Sequence, residues 1–419
     1  MLTDAPMPNI ARLWGRIQKL AEFTVPGSPW TRRAFSPEFA EAREWLKAEF
    51  RLAGLDVTLD SGGNLIGRLP GADLKLKPLV TGSHCDTVVA GGRFDGIVGV
   101  LAGLEVAQTL RERGKRLNHS LDVIDFLSEE PSDYGISCVG SRALSGQLHA
   151  HMLNAANPDG ETLAAAIGRV GGEPQMLKSP IRGAADTSAF VELHIEQGPV
   201  LERLAVPIGV VTHIVGIRRV AITIAGQADH AGTTPMTMRR DALVGASRVI
   251  ERAHAMASER AGAAEYVVAT IGRLTVWPNA PNAVPARVDM VLEVRSDTVA
   301  ILTSLPEMIA AACAADLSAL GVRLEMNTVT YSSPTICSPI VIEAVARAAA
   351  SIGYPSHRMA SGAGHDAIYV APTGPIGMIF VPCRGGRSHC EEEWIEPDQL
   401  LDGARVLMQT LLDLDDSLP

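Results

Sequence analysis

Cysteine is scarce in this chain, and so are blocks of positive charge and long apolar runs. The six cysteines among 419 residues, at positions 85, 138, 313, 337, 383 and 390, form no CxxC pair and fall far short of a disulfide scaffold. A framework stapled by disulfides is excluded, and a reducing cytoplasmic setting is the simplest expectation. A net charge of −10 with no Lys/Arg-rich block argues against nucleic acid or an anionic membrane as partner. Small neutral or anionic molecules remain. No stretch of about 18 uninterrupted apolar residues occurs, so no membrane span is expected. Residues 1–15 carry no continuous apolar segment ahead of a cleavage site.

Apolar residues make up 47% of the chain, enough for more than one core. The length also passes the roughly 250 to 300 residues at which a single core stops growing, so two domains are expected. Up to residue 213, helical and strand-like segments alternate, the sign of an α/β layer with a largely parallel sheet. Residues 39–53 read as a helix behind the start signal Ser36-Pro37-Glu38, stopped by Gly54, and 96–113 as a second helix. Residues 79–82, 121–127 and 190–194 read as buried strands. Polar signatures follow at their carboxyl ends, where open α/β sheets place ligands.

From 214 to 330 the order becomes strand, helix, strand, strand, helix, strand, at 219–225, 241–258, 266–274, 288–294, 298–317 and 323–330. That is a ferredoxin-like βαββαβ unit. The α/β pattern resumes with a helix at 340–352, a strand at 376–381 and a last helix at 397–412. The expected organisation is a discontinuous catalytic domain, 1–213 and 331–419, interrupted by an inserted α+β domain, 214–330.

Five good metal ligands stand in the polar signatures. His84 lies in Gly82-Ser83-His84-Cys85-Asp86-Thr87-Val88, Asp95 in Gly91-Gly92-Arg93-Phe94-Asp95-Gly96, and Glu130 in Ser128-Glu129-Glu130. His194 lies in Glu192-Leu193-His194-Ile195-Glu196-Gln197-Gly198 and His389 in Gly386-Arg387-Ser388-His389. Imidazoles and carboxylates suit one or two borderline divalent ions such as zinc or manganese. His84 and Asp86 share one side of an extended segment, so one can bind metal while the other orients it. Taken singly, the His-x-Asp reads as a polar turn and Asp95 as a helix N-cap; together the five favour a metal site. Glu129 and Glu130, adjacent at a strand end, diverge. One can ligate while the other serves as general base toward a water the metal activates, the alternative being a solvated acidic turn.

These segments resemble the M20 metallopeptidase superfamily, and within it the hydantoinase/carbamoylase branch of N-carbamoyl-L-amino acid hydrolases, allantoate amidohydrolases and β-ureidopropionases. The resemblance runs nearly end to end. It includes Thr31-Arg32-Arg33-Ala34-Phe35-Ser36, Gly140-Ser141-Arg142-Ala143, Gly226-Gln227-Ala228-Asp229-His230-Ala231-Gly232-Thr233-Thr234-Pro235-Met236, Pro278-Asn279-Ala280-Pro281-Asn282 and Ser361-Gly362-Ala363-Gly364-His365-Asp366-Ala367. His194 within Leu193-His194-Ile195-Glu196-Gln197-Gly198 separates that branch from M20 peptidases that carry an acidic ligand there.

The resemblance implies a zinc-exopeptidase-like α/β catalytic domain with a mostly parallel sheet and a ferredoxin-like lid and dimerisation domain. It implies two divalent ions per subunit, Zn²⁺ or else Mn²⁺, Co²⁺ or Ni²⁺. His84 and His194 would hold one ion and Glu130 and His389 the other, Asp95 would bridge, and Glu129 would be the base. His230 resembles the oxyanion-polarising histidine, Asn282 and Arg295 the substrate-carboxylate clamp, and Gln197 and Gly364 further substrate contacts. The chemistry agrees, since guanidinium offers a fork matched to carboxylate and a histidine beside a developing oxyanion lowers the barrier. By their residues alone, Arg295 reads as a surface strand arginine, His230 as a loop histidine and Asn282 as a turn residue.

The implied activity is metal-dependent hydrolysis of a linear C–N amide bond in an N-carbamoyl, ureido or related carboxylate substrate. The implied enzyme is a homodimer with hinges near 212–216 and 331–334. An M20 aminoacylase or dipeptidase, and a non-catalytic binding relative, are the alternatives. A cysteine-nucleophile amidase built on His84-Cys85 or His389-Cys390 is disfavoured, because strand neighbours face opposite ways. Two departures bear on specificity and on the metal surroundings: Pro131-Ser132-Asp133-Tyr134 puts an anion where relatives carry a cation, and Cys390-Glu391-Glu392-Glu393 follows His389. Cys85 reads either as an oxidation or inhibitory-metal site or as a small buried residue.

Overall fold

The computed structural model describes residues 7–260, 262 and 265–419. The reading of the N-terminus rests in part on residues 1–6, which lie outside the described residues. The chain divides into two compact units. One comprises the chain up to Thr212 with Cys337–Met359 and Ala363–Pro419, and the other His213–Ile336 with Ala360–Gly362.

The first unit is built on strands whose apolar runs reflect burial on both faces. Leu79–His84, Leu121–Phe126, Ala189–Ile195 and Ile376–Val381 are buried at every position. They lie in the spatial order Leu121–Phe126, Leu79–His84, Ala189–Ile195, Ile376–Val381, all neighbours parallel. Outside this parallel centre the sheet turns antiparallel, with Leu65–Leu69 and then Asp56–Leu59 on one side and Ile208–Ile214 on the other. The architecture is mixed α/β with a mostly parallel central sheet, as the alternating pattern predicts.

Helix Ile97–Glu112 covers the strands that carry His84 and His194. A Cβ on its Gly99 would stand 2.5 Å from the Leu193 carbonyl oxygen and 2.7 Å from Ser83 Cβ, so only glycine allows that approach. Helix Pro37–Leu52 starts two residues before the predicted boundary, because Ser36 caps it by accepting from the Phe39 N–H with Pro37 in the first turn. The last helix, Pro397–Ser417, outruns its predicted end at 412. Leu414 and Asp415 are still buried, and the Asp415 carboxylate accepts the N–H groups of Asn118 and His119, both at 2.8 Å.

The second unit is a four-stranded antiparallel sheet in the order Arg323–Ser332, Gly216–Ala225, Arg287–Ser296, Val267–Trp277, with helices Ala242–Ser258 and Val299–Ala319. Alternate strand residues such as Val220, Ile222, Met290 and Leu292 share one core with Ala246, Val249, Leu302 and Ile309, so both helices cover one face. This is the βαββαβ arrangement. Helix Val299–Ala319 is long and apolar enough to cross a membrane by length and composition alone. Its Leu302, Leu305, Ile309, Cys313 and Leu317 are packed in this core, and exposed alanines make up much of the rest of its apolar composition.

Candidate metal and catalytic centre

The first unit's topology gathers the polar signatures at one end of its parallel strands. His84 ends its strand and pairs in register with Phe126, four residues before Glu130, while His194 sits opposite Phe380 on the next strand pair. Asp95 precedes helix Ile97–Glu112, but it does not cap it. Gly96 takes the cap position with φ 69°, and no side chain bonds the helix amides there. A Cβ at Gly96 would stand 2.3 Å from His84 Nε2, so the glycine also clears space for the ring.

The Asp95 carboxylate is therefore released toward the histidines. Its Oδ1 lies 3.0 Å from His194 Nε2 and 3.9 Å from His84 Nε2, and its Oδ2 lies 2.9 Å from His389 Nε2. Glu130 Oε1 is 3.1 Å from the same His389 nitrogen, and Glu129 Oε2 is 3.7 Å from His84 Nε2. Two triplets of ligand atoms result, His84 with Asp95 and His194, and Asp95 with Glu130 and His389, the atoms of each within 4.8 Å of one another. Donors bound to one ion at about 2.0 to 2.2 Å in tetrahedral geometry stand about 3.4 Å apart. The observed spacings bracket that value, so both triplets fit a divalent ion.

The charges agree. Burial opposes a positive charge on His84, yet Glu129, Asp86, Asp95 and Glu130 outweigh it and raise its pKa well above the ordinary histidine value. Hydrogen bonds to Asp95 and Glu130 push His389 up to about 11. Burial holds the Glu129 carboxyl well above the usual carboxylate range, with Glu130 and Asp366 adding to it against the pull of His84. A site so rich in carboxylate calls for cations.

The ring nitrogens facing away from the triplets are fixed by backbone. His84 Nδ1 donates to the Asp86 carbonyl at 3.0 Å and His194 Nδ1 to the Ile195 carbonyl at 2.8 Å, so each Nε2 is the nitrogen turned toward its triplet, where that of His194 also receives the Gly96 N–H at 3.1 Å. The expectation that the Asp86 side chain orients His84 is thus amended. That carboxylate is 3.7 Å from Nδ1 and instead accepts the backbone N–H groups of Glu129 at 3.2 Å and Glu130 at 3.1 Å, holding the acidic pair.

Glu393 and Ser388 act similarly on Asp95 and His389. Glu393, 1% exposed, accepts from the Phe94 and Asp95 N–H groups at 2.8 and 3.1 Å and from Ser388 Oγ at 2.8 Å. Gln197 donates from Nε2 to Asp95 Oδ2 at 2.9 Å and to Ser388 Oγ at 3.1 Å, so here its amide serves the cluster. His365, within a quoted motif but given no role, is buried with its ring 4.6 Å from that of His194. Gly364 lies in the loop just before it.

Cys85 is fully buried and burial pushes its thiol well above the ordinary value, which removes it as a nucleophile. The unusual Pro131–Tyr134 segment has its own partners. Asp133 pairs with Arg33 at 2.6 Å, and the Tyr134 ring packs edge-on against Phe35 at 5.3 Å.

His230, Asn282 and Arg295 lie in the second unit. The Asn282 carbonyl accepts the Ala231 N–H at 3.0 Å, and His230 bridges to Ala283, so the two signature loops are paired. His230 Nδ1 accepts the N–H groups of Gly232 and Thr233 at 3.0 and 3.2 Å, leaving the proton on an exposed Nε2. Arg295 gives Nε to Glu293 at 2.8 Å and Nη1 to the Gly362 carbonyl at 2.8 Å.

A family model described as "Peptidase family M20/M25/M40" matches residues 80–413 of the sequence, a span that takes in the five proposed ligands, Glu129, His230, Asn282 and Arg295 but not the Thr31–Ser36 segment. The chain belongs to this family. It is 38% identical over 405 residues to an N-carbamoyl-L-amino-acid amidohydrolase of Paenarthrobacter aurescens, with 96% of this chain and 98% of the relative covered. An N-carbamoyl-L-amino acid amidohydrolase of Geobacillus stearothermophilus is 39% identical over 404 residues, at 96% and 98% coverage. Among solved structures, a hydantoinase/carbamoylase family amidase from Burkholderia multivorans superposes with a TM-score of 0.91 at 35% identity, covering 98% of each chain. This M20 chain is an amide hydrolase with candidate metal-ligand groups.

Proposed function

We propose that this M20 hydrolase cleaves the linear C–N bond of an N-carbamoyl or ureido amino acid with two divalent ions held by His84, Asp95, His194, Glu130 and His389. The observation that carries the reading is Asp95, which presents one carboxylate oxygen to each triplet. The names of the relatives support the substrate class. Bound ions would polarise the scissile carbonyl and lower the pKa of water from about 15.7 to about 7. Glu129 accepts the proton of the attacking water at its carboxylate and returns it to the leaving nitrogen as the C–N bond breaks. His230 donates from Nε2 to the carbonyl oxygen as charge develops there. The free edge of the Arg295 guanidinium, with Asn282, holds the substrate carboxylate.

Protein stripped with a chelator is expected to lose turnover and to regain it with Zn²⁺, Mn²⁺, Co²⁺ or Ni²⁺. Activity that persists with no metal bound rejects the reading. A hydrolysis screen of the reloaded enzyme over N-carbamoyl-L-amino acids, allantoate, N-carbamoyl-β-alanine and dipeptides, each as free acid and methyl ester, fixes the substrate. Equal turnover of acid and ester would exclude the clamp.

The same reading makes the enzyme a homodimer in which the second unit supplies His230 to its neighbour's site. His230→Ala should then be impaired about 100 to 1000-fold, as when an oxyanion donor is removed. Mixed with Glu129→Gln, it should recover up to about a quarter of wild-type activity. Random reassortment makes about half the dimers mixed, each with one whole site. No recovery after demonstrated subunit exchange would place His230 in its own subunit's site or outside catalysis.

A further inference from the structure

The loop that carries Glu129 folds back on itself. The Cys138 N–H donates to the Glu129 carbonyl at 2.9 Å, Val139 to Ser128 at 3.0 Å and Gly140 to Leu127 at 2.8 Å. Ser128 and Cys138 stand at the two closing points, and both take left-handed backbone, φ 53° and 54°, that non-glycine residues seldom adopt. The closure lays the Cys138 side chain against the carboxylate, with Sγ 3.3 Å from Glu129 Oε1. The other oxygen, Oε2, faces His84. Cys138 is 5% exposed, and burial together with the Glu129 charge holds its thiol well above the ordinary pKa, so it is a neutral S–H. In the ionised form that takes the water's proton, Glu129 offers only acceptors, so there the thiol is the donor.

We infer that Cys138 is a positioning residue for Glu129: its S–H, donated to Oε1, turns Oε2 toward the His84 side, where the water's proton is taken. The inference rests on Glu129 being the general base. A small buried cysteine could otherwise be there for packing alone, and three substitutions separate the roles. Cys138→Ala removes the donor and some volume, Cys138→Val removes the donor and fills the space but adds backbone strain at φ 54°, read separately as a lowered thermal midpoint, and Cys138→Ser keeps a donor.

With metal content measured on every variant, Ala and Val are expected to lower kcat about tenfold at unchanged KM. That is less than the about 100-fold attached to a 1 Å misplacement in an active site. Ser should stay within about threefold of wild type whatever its thermal midpoint. Wild-type kcat in both Ala and Val overturns the inference, as does an equal loss in Ser. Glu129→Gln, run in parallel, separates this from the parent reading. If Glu129→Gln turns over normally, both fall; if it is inactive while Ala and Val are normal, the positioning role alone falls.

Discussion

Glu129→Gln should keep the wild-type metal content and lose about 100 to 10,000-fold in turnover, the contribution of a well-placed general base. The amide has the volume of the carboxylate and still offers an oxygen to the Cys138 thiol, so the loop should close as before. What it lacks is a site for the proton. Glu129 is suited to hold that proton, since burial favours its neutral form and His84 moderates the effect. Glu130, one residue on, is placed differently. Its Oε1 is 3.1 Å from His389 Nε2, whereas Glu129 Oε2 is 3.7 Å from His84 Nε2. Steady-state kinetics with elemental analysis decides the matter. Full metal with no turnover supports the base, while loss of metal would make Glu129 a ligand and reverse the roles assigned to the pair.

How much of this could be read from the sequence depends on which atoms do the work. The strands that end near His84 and Glu130 and carry His194 announce themselves, because burial on both faces leaves long apolar runs broken by the polar residues. The second unit is legible for a different reason. Strand alternation, one amphipathic helix and one apolar helix set its order, and only the element ends shift. Its unit boundaries, His213–Ile336 with Ala360–Gly362, differ from the 214–330 reading because the last three residues come from a distant segment that periodicity cannot connect to the rest.

Contacts through backbone atoms leave no such trace. The oxygen that receives His84 Nδ1 belongs to the Asp86 main chain, which any residue could supply, while the conspicuous carboxylate works on Glu129 and Glu130. Glu391, Glu392 and Glu393 look alike in sequence, yet only Glu393 is buried against the Asp95 loop. Asp95 itself invites the wrong local reading, since Asp before a helix is a favoured cap. The φ of 69° that lets Gly96 stand between carboxylate and helix is tertiary information.

That displacement gives Asp95 its predicted weight. Among the five proposed ligands only its carboxylate takes part in both triplets, so Asp95→Ala should remove two equivalents of metal where His389→Ala removes one. The loss of activity should exceed the about 10 to 100-fold seen when a residue behind a ligand is removed. Asp95→Asn is the finer probe. It keeps one oxygen acceptor and replaces the other with a donor, so one triplet keeps an oxygen ligand and the other meets an N–H₂ group. The wild-type structure indicates which amide orientation is favoured. Gln197 Nε2 donates to Oδ2 at 2.9 Å, while the single Ser388 hydroxyl proton goes to Glu393 at 2.8 Å, so the glutamine favours the remaining oxygen at that position and the N–H₂ facing His194. Asp95→Asn should therefore retain metal at Glu130 and His389 and lose it at His84 and His194. Elemental analysis gives the count, and an anomalous difference map at the metal edge gives the position. If Asp95→Ala lost no more metal than His389→Ala, Asp95 would serve one ion only, and the two-ion centre would have to be redrawn.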